Sequence, residues 1–317
     1  MKKLALLLAA LSVASVSYAK EVMPEAAPVV EEAPVVEQEV VEVKAAPVLR
    51  VTSVGQQLVV ENKSNANGKG QEDVGEKVHL KNMVGLALGD SWTFDLMARK
   101  TWKASIDDHL NNDTEGSGMK SNGHRIDLQA TRHFENFSLG LRWRGEQESD
   151  AIFLPVSYNY GMVSGWFDPA YYFADKGQDY FYLEAEPVVL SYGPVQLAYY
   201  FEGTKYTGDG NGNTLTSTKS DYVHQARLRG TVYSNDTFSV GAEYRYQFAQ
   251  DVEMVNGNKD VENNRHIAVL SAAYNVTENL TVDTYYQYEF NKYEQHEGDV
   301  MSDDYFGEFG LGWSYKF

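Results

Sequence analysis

The sequence predicts an all-β protein: a transmembrane, antiparallel, up-and-down β-barrel of fourteen strands, with twelve strands as the alternative. Three observations predict this fold. Residues 304–317 alternate apolar or small residues with other residues up to an aromatic last position, which is the period of a strand with two unlike faces. A secretion signal opens the chain, and no later apolar run is long enough for a spanning helix. Short turns alternate with long polar loops, as in outer-membrane barrels.

Residues 1–19 are predicted to be a signal peptide. Lys2 and Lys3 precede a short apolar stretch, Leu4 to Val16, and small residues flank a cut after Ala19. Because this stretch is too short to cross a bilayer comfortably, cleavage is favoured over a retained membrane anchor.

The composition excludes several classes of function. The formal net charge is −18, and cleavage of the signal would remove two further lysines, so nucleic acid is excluded as a partner. Cysteine is absent, which excludes disulfides, thiol nucleophiles and cysteine-based metal sites. The 22 Tyr, 14 Phe and 5 Trp would supply aromatic girdles at two membrane interfaces.

Residues 20–47 form a segment of different composition, rich in Pro, Val, Glu and Ala and without aromatic residues. Its four prolines favour an extended chain. The segment is predicted to be a disordered acidic periplasmic tether. Binding to the cell wall or to a partner is the alternative role.

Residues 48–317 are predicted to form the barrel. Most strand candidates have 12–14 residues, which is enough to cross a bilayer when tilted. The candidates lie near 48–61, 77–89, 91–104, 122–134, 137–148, 151–159, 163–174, 179–190, 194–206, 221–233, 237–249, 264–276, 279–292 and 304–317.

The region 148–178 decides between fourteen strands and twelve. It contains Pro155, Pro169 and few charges, so it either supplies two strands or forms an inserted segment that constricts the lumen. Fourteen strands are favoured. An even number also places both ends of the barrel on the periplasmic side.

The two faces of each strand differ sharply. In the eleventh predicted strand, Phe238, Val240 and Tyr244 oppose Glu243 and Arg245. A lipid-facing Arg or Lys near the bilayer midplane costs about 2–4 kcal/mol, and a dry core could not bury so many charges without strict pairing. The polar faces are therefore predicted to line a water-filled lumen, which fourteen strands can enclose.

Inward-facing charged residues are the candidate site. Basic residues concentrate on the third to fifth and the tenth to eleventh predicted strands, and acidic residues on the eighth, ninth, thirteenth and fourteenth. Opposed charges would set a transverse field that tunes ion selectivity, or would form salt bridges that fix the wall. The predicted pore-lining residues are Arg99, Arg125, Arg142, Arg144, Arg227, Arg229, Glu184, Glu186, Glu202, Glu243, Arg245, Asp283 and Glu289.

A family resemblance rests on the two ends of the chain. The opening MKKLALLL…YAKEVMPEAAPVVE and the aromatic end Ser314-Tyr315-Lys316-Phe317 resemble the fusobacterial major outer-membrane porins. The specific part covers about 30 residues. The resemblance implies a non-specific diffusion porin with a fourteen-stranded barrel and a surface antigen involved in adhesion, but it carries no site residue.

The sequence predicts neither an enzyme nor a metal or cofactor site. His133 is predicted to face inward with Asp127, but no glycine-flanked serine offers a nucleophile. No acidic loop has the spacing of an EF-hand.

The predicted function is passive diffusion of ions and small hydrophilic solutes across the bacterial outer membrane. The alternative is a surface adhesin or structural outer-membrane protein that binds a host or cell-surface partner through acidic loops. The other expected partner is outer-membrane lipid. The sequence leaves open the pore size, the ion selectivity, the solute, and the choice between a monomer and a homo-oligomer.

Overall fold

Every described element of the fold is a β-strand, turn or loop. The structure is a computed structural model and describes residues 48–64, 72–104, 119–208, 217–257, 259–261, 265–291 and 304–317. The predicted signal peptide, the acidic segment 20–47 and parts of the predicted long loops lie outside these residues. Val48–Phe317 is one compact unit. In the described part of the chain, no helix is long and apolar enough to cross a membrane.

Alternating sequence gives long antiparallel strands throughout this unit. In chain order they are β1 (Leu49–Ser64), β2 (Glu72–Leu88), β3 (Trp92–Lys103), β4 (Lys120–His133), β5 (Phe137–Glu146), β6 (Ser149–Phe153), β7 (Val156–Tyr160), β8 (Val163–Ala174), β9 (Tyr180–Tyr192), β10 (Val195–Tyr206), β11 (Thr218–Ser234), β12 (Phe238–Met254), β13 (Lys259–Val261), β14 (Arg265–Asn275), β15 (Leu280–Asn291) and β16 (Asp304–Lys316).

The strands close into a barrel. Each strand pairs with its neighbours in the chain, and the last strand, β16, pairs with β1 from Ser53↔Lys316 to Lys63↔Phe306. β6 and β7 share one position between β5 and β8, and β13 pairs only with an extension of β12. Among the described residues the barrel therefore has fourteen strand positions. The fourteen-strand prediction is confirmed and the twelve-strand alternative is wrong.

A proline divides the sixth strand position. Pro155 has no backbone N–H and cannot donate to the strand ladder, so β6 ends at Phe153 and β7 begins at Val156. Backbone bonds still cross the gap, from Leu154 N to Pro169 O at 2.9 Å and from Gly140 N to Pro155 O at 2.7 Å. The region 148–178 thus supplies two wall positions instead of an inserted constriction.

Several strands run beyond their predicted ends. Residues 250–263, which the predicted strands 237–249 and 264–276 leave as a loop, are partly strand. β12 continues to Met254 and pairs with β13 from Asp251↔Val261 to Glu253↔Lys259. β2 begins at Glu72, although the prediction starts this strand at 77. Ladder hydrogen bonds stabilise polar strands that a hydrophobic pattern cannot reveal.

Tight turns join the strands at one end of the barrel, which we call the turn end. Asn235 caps one of these turns, since its side-chain oxygen accepts from Thr237 N at 2.9 Å and Phe238 N at 2.7 Å. Gly161 makes another with φ 70°, a conformation that glycine adopts without strain. Both Val48 and Phe317 lie at the turn end, where Phe317 N donates to Thr52 O. The opposite end is the loop end.

The outer wall is apolar and exposed. Leu139 on β5, Leu228 on β11 and Leu270 on β14 expose 49%, 50% and 59% of their surface, although such residues belong to a core in a water-soluble protein. The alternate residues of each strand face the interior. Val59 on β1 is one of them and is only 1% exposed. A closed barrel with this apolar wall satisfies its backbone hydrogen bonds internally and presents hydrocarbon to the bilayer.

Candidate functional site: the charged interior of the barrel

The inward faces of the strands carry the charged side chains of the barrel. Strand alternation places all thirteen predicted pore-lining residues on the interior side of their strands. Most of these residues form ion pairs or hydrogen bonds within small clusters, and the others lie outside the clusters. Whether they line a water path is a separate matter and stays a prediction.

Three basic residues lie side by side on β2, β3 and β4. Lys81 is the cross-strand partner of Arg99, and Arg99 is the partner of Arg125. We call Lys81, Arg99 and Arg125 the basic row. Like charges in directly opposed positions destabilise a sheet, so this row needs compensation from neighbouring groups.

Acidic side chains compensate the basic row only in part. Asp127 on β4 accepts from Arg125 Nε at 2.9 Å and from Arg144 Nε at 3.1 Å, and Glu146 on β5 lies 3.7 Å from Arg99. Lys81 instead donates to the amide oxygen of Gln57 at 3.0 Å. Four cations, the basic row and Arg144, therefore face two carboxylates. Lys81 has no ion pair among the described residues.

Arginine and aromatic side chains fill the interior next to β5, β6 and β8. Arg142 pairs with Asp168, and the guanidinium carbons of Arg142 and Arg144 lie 4.0 Å and 4.4 Å from the ring centre of Phe153. Phe153 is 1% exposed and packs edge-on against Tyr172. Cation–π contacts of this kind hold the arginines against the wall, so packed side chains cover this part of the inner wall.

Glu186 on β9 is held by two arginines from β11. Arg229 donates from Nη1 to Oε1 and from Nη2 to Oε2, both at 2.8 Å, and Arg227 Nη1 donates to Oε1 at 3.2 Å. Glu186 is only 2% exposed. Bidentate, charge-assisted bonds are among the strongest hydrogen bonds in proteins. The two arginines therefore hold the Glu186 side chain in place and offset its negative charge.

Glu184 and Glu202 form a contrasting pair on β9 and β10. They are direct cross-strand partners, and we call them the acidic pair. Tyr182 Oη lies 3.2 Å from Glu184 and 3.1 Å from Glu202, and Tyr200 Oη lies 3.0 Å and 2.8 Å from the same two carboxylates. In the described part of the chain no Lys, Arg or His forms an ion pair with either carboxylate.

The remaining predicted residues lie on β12 and β15. Arg245 Nε donates to Glu243 at 2.8 Å, and Glu289 pairs with Arg265 of β14. Asp283 lies apart from these ion pairs and is the cross-strand partner of Gly312. The structure therefore brings twelve of the thirteen residues into clusters and leaves Asp283 outside them.

The basic row and the acidic pair lie on different sides of the barrel. One way round, three strand positions separate β4 from β9: β5, the shared position of β6 and β7, and β8. The other way round, six positions separate β2 from β10. The basic row and the acidic pair therefore lie on separate parts of the interior wall.

A pocket of about 420 Å³ opens on the inner wall at the turn end. Gln196, Arg229, Glu243 and Ser271 contribute to its lining, so the polar interior continues towards that end of the barrel. Within the described ranges, no three His, Asp or Glu side chains are placed to hold a metal ion.

Sequence reasoning missed several interior residues. Lys81 lies on the opposite face of β2 from the apolar Leu80, Val84 and Leu86, so alternation alone could have assigned it inward. Asp168 fell in the ambiguous region 148–178. The expectation that aromatic residues serve as lipid girdles misses Tyr172, Tyr182 and Tyr200, which face the interior. Alternation could have assigned two of them, because Tyr182 and Tyr200 lie two residues from the predicted inward residues Glu184 and Glu202.

Sequence comparison identifies no relative. A scan against protein-family models finds no match, and a search of curated proteins finds none either. Membership of the fusobacterial porin family therefore stays a prediction.

Comparison with solved structures returns outer-membrane porins and channels. The anion-selective porin from Comamonas acidovorans is 13% identical, with a TM-score of 0.44 and coverage of 85% of this chain and 100% of that one. The outer-membrane channel DcaP of Acinetobacter baumannii is 12% identical, with a TM-score of 0.43 and coverage of 86% and 98%. OmpT of Vibrio cholerae in its trimer form is 13% identical, with a TM-score of 0.45 and coverage of 86% and 100%.

At these identities and scores the likeness carries no argument about this chain. The barrel is established by its own strand pairing, from β1 round to β16. A closed antiparallel barrel with an even number of strands and an apolar outer wall is the form in which bacterial chains span the outer membrane. This chain is a transmembrane β-barrel protein of the bacterial outer membrane.

Proposed function

We propose that this protein is a porin that allows passive diffusion of ions and small hydrophilic solutes across the outer membrane. The observation that carries the proposal is the charged interior of a closed fourteen-position barrel. A barrel of eight strands is filled by its own side chains, whereas barrels of sixteen to eighteen leave an aqueous channel. Charged groups that are not paired require water around them, which supports a wet lumen here.

The distribution of unpaired charge supports a preference for cations. The interior arginines Arg125, Arg142, Arg144, Arg227, Arg229, Arg245 and Arg265 are each bonded to a carboxylate. Interior carboxylates with no ion pair among the described residues are Asp95, Glu184, Glu202, Asp221, Asp283 and Glu308. Asp127 and Glu186 each bind two of these arginines, and Lys81 has no ion pair among the described residues, so three positive charges remain against six unpaired carboxylates. The net field along the lumen therefore favours cations.

Transport by diffusion needs no cofactor and no catalytic residue, so we propose that the protein is not an enzyme. His133 bonds to Thr93 Oγ1 at 2.9 Å. No carboxylate among the described residues is hydrogen-bonded to this ring, so the histidine–threonine pair does not form a triad. The adhesin alternative depends on loops that lie mostly outside the described residues, and no contact of the described residues favours it.

Swelling of liposomes tests the diffusion function directly. Refolded protein in lipid vesicles should admit small neutral sugars, with rates that fall steeply as the solute grows. Vesicles with a heat-unfolded sample of the same protein are the control. Vesicles that contain folded barrel but swell no faster than the control would contradict the proposal, and turnover of lipid or peptide that is lost in His133→Ala would favour an enzyme.

A further inference from the structure

The pocket at the turn end is built on one row of the strand ladder. Gln196 on β10, Arg229 on β11, Glu243 on β12 and Val269 on β14 are successive cross-strand partners, so their side chains lie side by side on the interior face. All four line the pocket of about 420 Å³. Pockets that bind small molecules have volumes of about 300–1,000 Å³, so this one is large enough for a small solute.

The next row towards the turn end leaves room beside these charges. Gly241 is the cross-strand partner of Thr231 on one side and of Ser271 on the other, and it adds no side chain to the interior. A Cβ atom at position 241 would lie only 2.8 Å from Ser271 Oγ. All three residues line the pocket, so two hydroxyl groups border the space beside the charged row.

Arg229 and Glu243 carry opposite charges in directly opposed positions, yet the structure shows no bond between them. Opposite charges in such positions stabilise a sheet when they pair. Here Arg229 bonds instead to Glu186 on β9, and Glu243 bonds to Arg245 on its own strand. Neither charge of the row is therefore used to neutralise the other.

Both groups keep hydrogen-bonding capacity towards the pocket. A guanidinium has five N–H donors, and Arg229 uses three of them on described residues, one on Gln196 and two on Glu186. A carboxylate accepts at about four sites, and Glu243 accepts two bonds from Arg245. The side chains of Arg229 and Glu243 are 29% and 16% exposed, whereas that of Glu186 is 2% exposed. A solute in the pocket can therefore reach both charged groups.

We propose that this pocket binds zwitterionic solutes, namely free α-amino acids. The carboxylate of the solute would accept hydrogen bonds from Arg229, and its ammonium group would donate to Glu243. An amino acid carries both groups on one carbon atom, which suits opposite charges on neighbouring strands, where opposed Cβ atoms are about 4.5–5.5 Å apart. A solute with one sign of charge would meet the like charge of the wall, and this repulsion gives the pocket its specificity.

The position of the pocket relates it to transport. Gly193 and Pro194 of a tight turn also line it, and the short turns of bacterial outer-membrane barrels lie on the periplasmic side. The pocket would hold an amino acid where the solute leaves the barrel. That amino acids reach it through the lumen rests on the proposed diffusion function, whereas their binding to the pocket does not.

Titration of the refolded barrel in detergent micelles, followed by saturation-transfer NMR, tests the proposal. The probes are L-serine, ethanolamine, which lacks the carboxylate, and 3-hydroxypropionate, which lacks the ammonium group. L-serine should bind about tenfold more tightly than either analogue, because each analogue loses one charge-assisted hydrogen bond. Equal affinities for the three probes would overturn the proposal.

Two variants locate the binding in the pocket. Glu243→Gln removes the partner of the ammonium group and should weaken L-serine binding about tenfold, to the level of 3-hydroxypropionate. Val269→Phe keeps both charges but fills the pocket, so it should abolish L-serine binding and decides the matter even if Glu243→Gln does not fold. The matched control is Asp95→Asn, which removes an interior carboxylate of β3 outside the pocket. Unheated samples on gels show which variants fold.

The outcomes separate the pocket from the diffusion function. L-serine binding that survives in Val269→Phe would overturn the proposal, and so would an equal loss of binding in Asp95→Asn. A protein that prefers L-serine but admits no neutral sugar into liposomes would contradict the diffusion function alone. A protein that admits sugars without preferring L-serine would contradict the pocket alone.

Discussion

Glu184 and Glu186 lie two residues apart on β9 and face the same interior, yet their surroundings give them different roles. Glu186 is clamped by Arg227 and Arg229. Glu184 lies between its cross-strand partners Glu202 and Asp168 and bonds to two tyrosine hydroxyls, with no ion pair of its own among the described residues. The first carboxylate compensates charge within the wall. The second adds to an uncompensated charge that ions in the lumen would feel.

Neutralising these two carboxylates should therefore change stability in opposite directions. Glu186→Gln leaves two guanidiniums without a counter-charge and should lower the free energy of unfolding by about 1–3 kcal/mol. Glu184→Gln relieves repulsion within the acidic pair and should leave stability unchanged or raise it. Urea unfolding of the barrel in lipid vesicles measures both. A larger loss in Glu184→Gln than in Glu186→Gln would contradict the assigned roles.

The acidic pair should also control ion selectivity. A unit charge at contact distance changes the energy of a passing ion by about 1 kcal/mol in water, which is about a fivefold change in local concentration. Glu184→Gln/Glu202→Gln should therefore reduce the cation preference measured as a reversal potential in a salt gradient.

Glu148→Gln is the matched control for selectivity, because Glu148 is exposed near the loop end and pairs with Lys176. Its reversal potential should equal that of the unmodified protein. A double variant that also leaves the potential unchanged would mean that ions do not pass the acidic pair.

At the scale of strands, Gly310 on β16 leaves room for a tyrosine ring of β15. Gly310 is the cross-strand partner of Tyr285, whose ring lies over the glycine and whose hydroxyl bonds to Glu308. A Cβ atom at position 310 would contact the ring. The tyrosine ring therefore fills the space over Gly310 that a side chain at this position would occupy. This arrangement fixes the register of the paired strands.

Gly310→Ala should destabilise the barrel by about 1–3 kcal/mol, the usual cost of overpacking. Gly307→Ala is the control, since its nearest neighbour, Tyr286 Oη, would lie 3.2 Å from the added carbon. Tyr285→Ala should restore most of the loss in a double variant, which unfolding in denaturant would measure. Additive effects of the two substitutions would show that the ring and the glycine are independent.

Strand positions were predictable from the sequence, while strand ends were not. Alternation in β5, β12 and β16 identified these strands and their faces, because one side meets hydrocarbon and the other does not. In the extension of β12 towards β13, only Val252 and Met254 alternate with Asp251 and Glu253, a stretch too short to separate a strand from a polar loop. Pro155 made the sixth position ambiguous, because a proline can end a strand or merely interrupt it.

At the scale of the whole molecule, alternation yields a list of inward residues but not their contacts. Register decides that Lys81 meets Arg99 and that Glu184 meets Glu202, and a shift of two residues would keep every face while changing every pair. The pairing of Arg142 with Asp168 spans 26 residues and passes through the divided sixth position. Such contacts depend on the register in which nearby strands pair, which no local pattern encodes.

Closure also makes the central claim testable in a single experiment. The account requires a continuous water path with a net excess of unpaired carboxylates along it. Single-channel recording of the refolded protein in planar bilayers, with a salt gradient across the membrane, measures both properties. The account predicts discrete, steady conductance steps and a reversal potential of the sign expected for cation preference. A folded, heat-modifiable barrel that inserts into the bilayer without any conductance would contradict it.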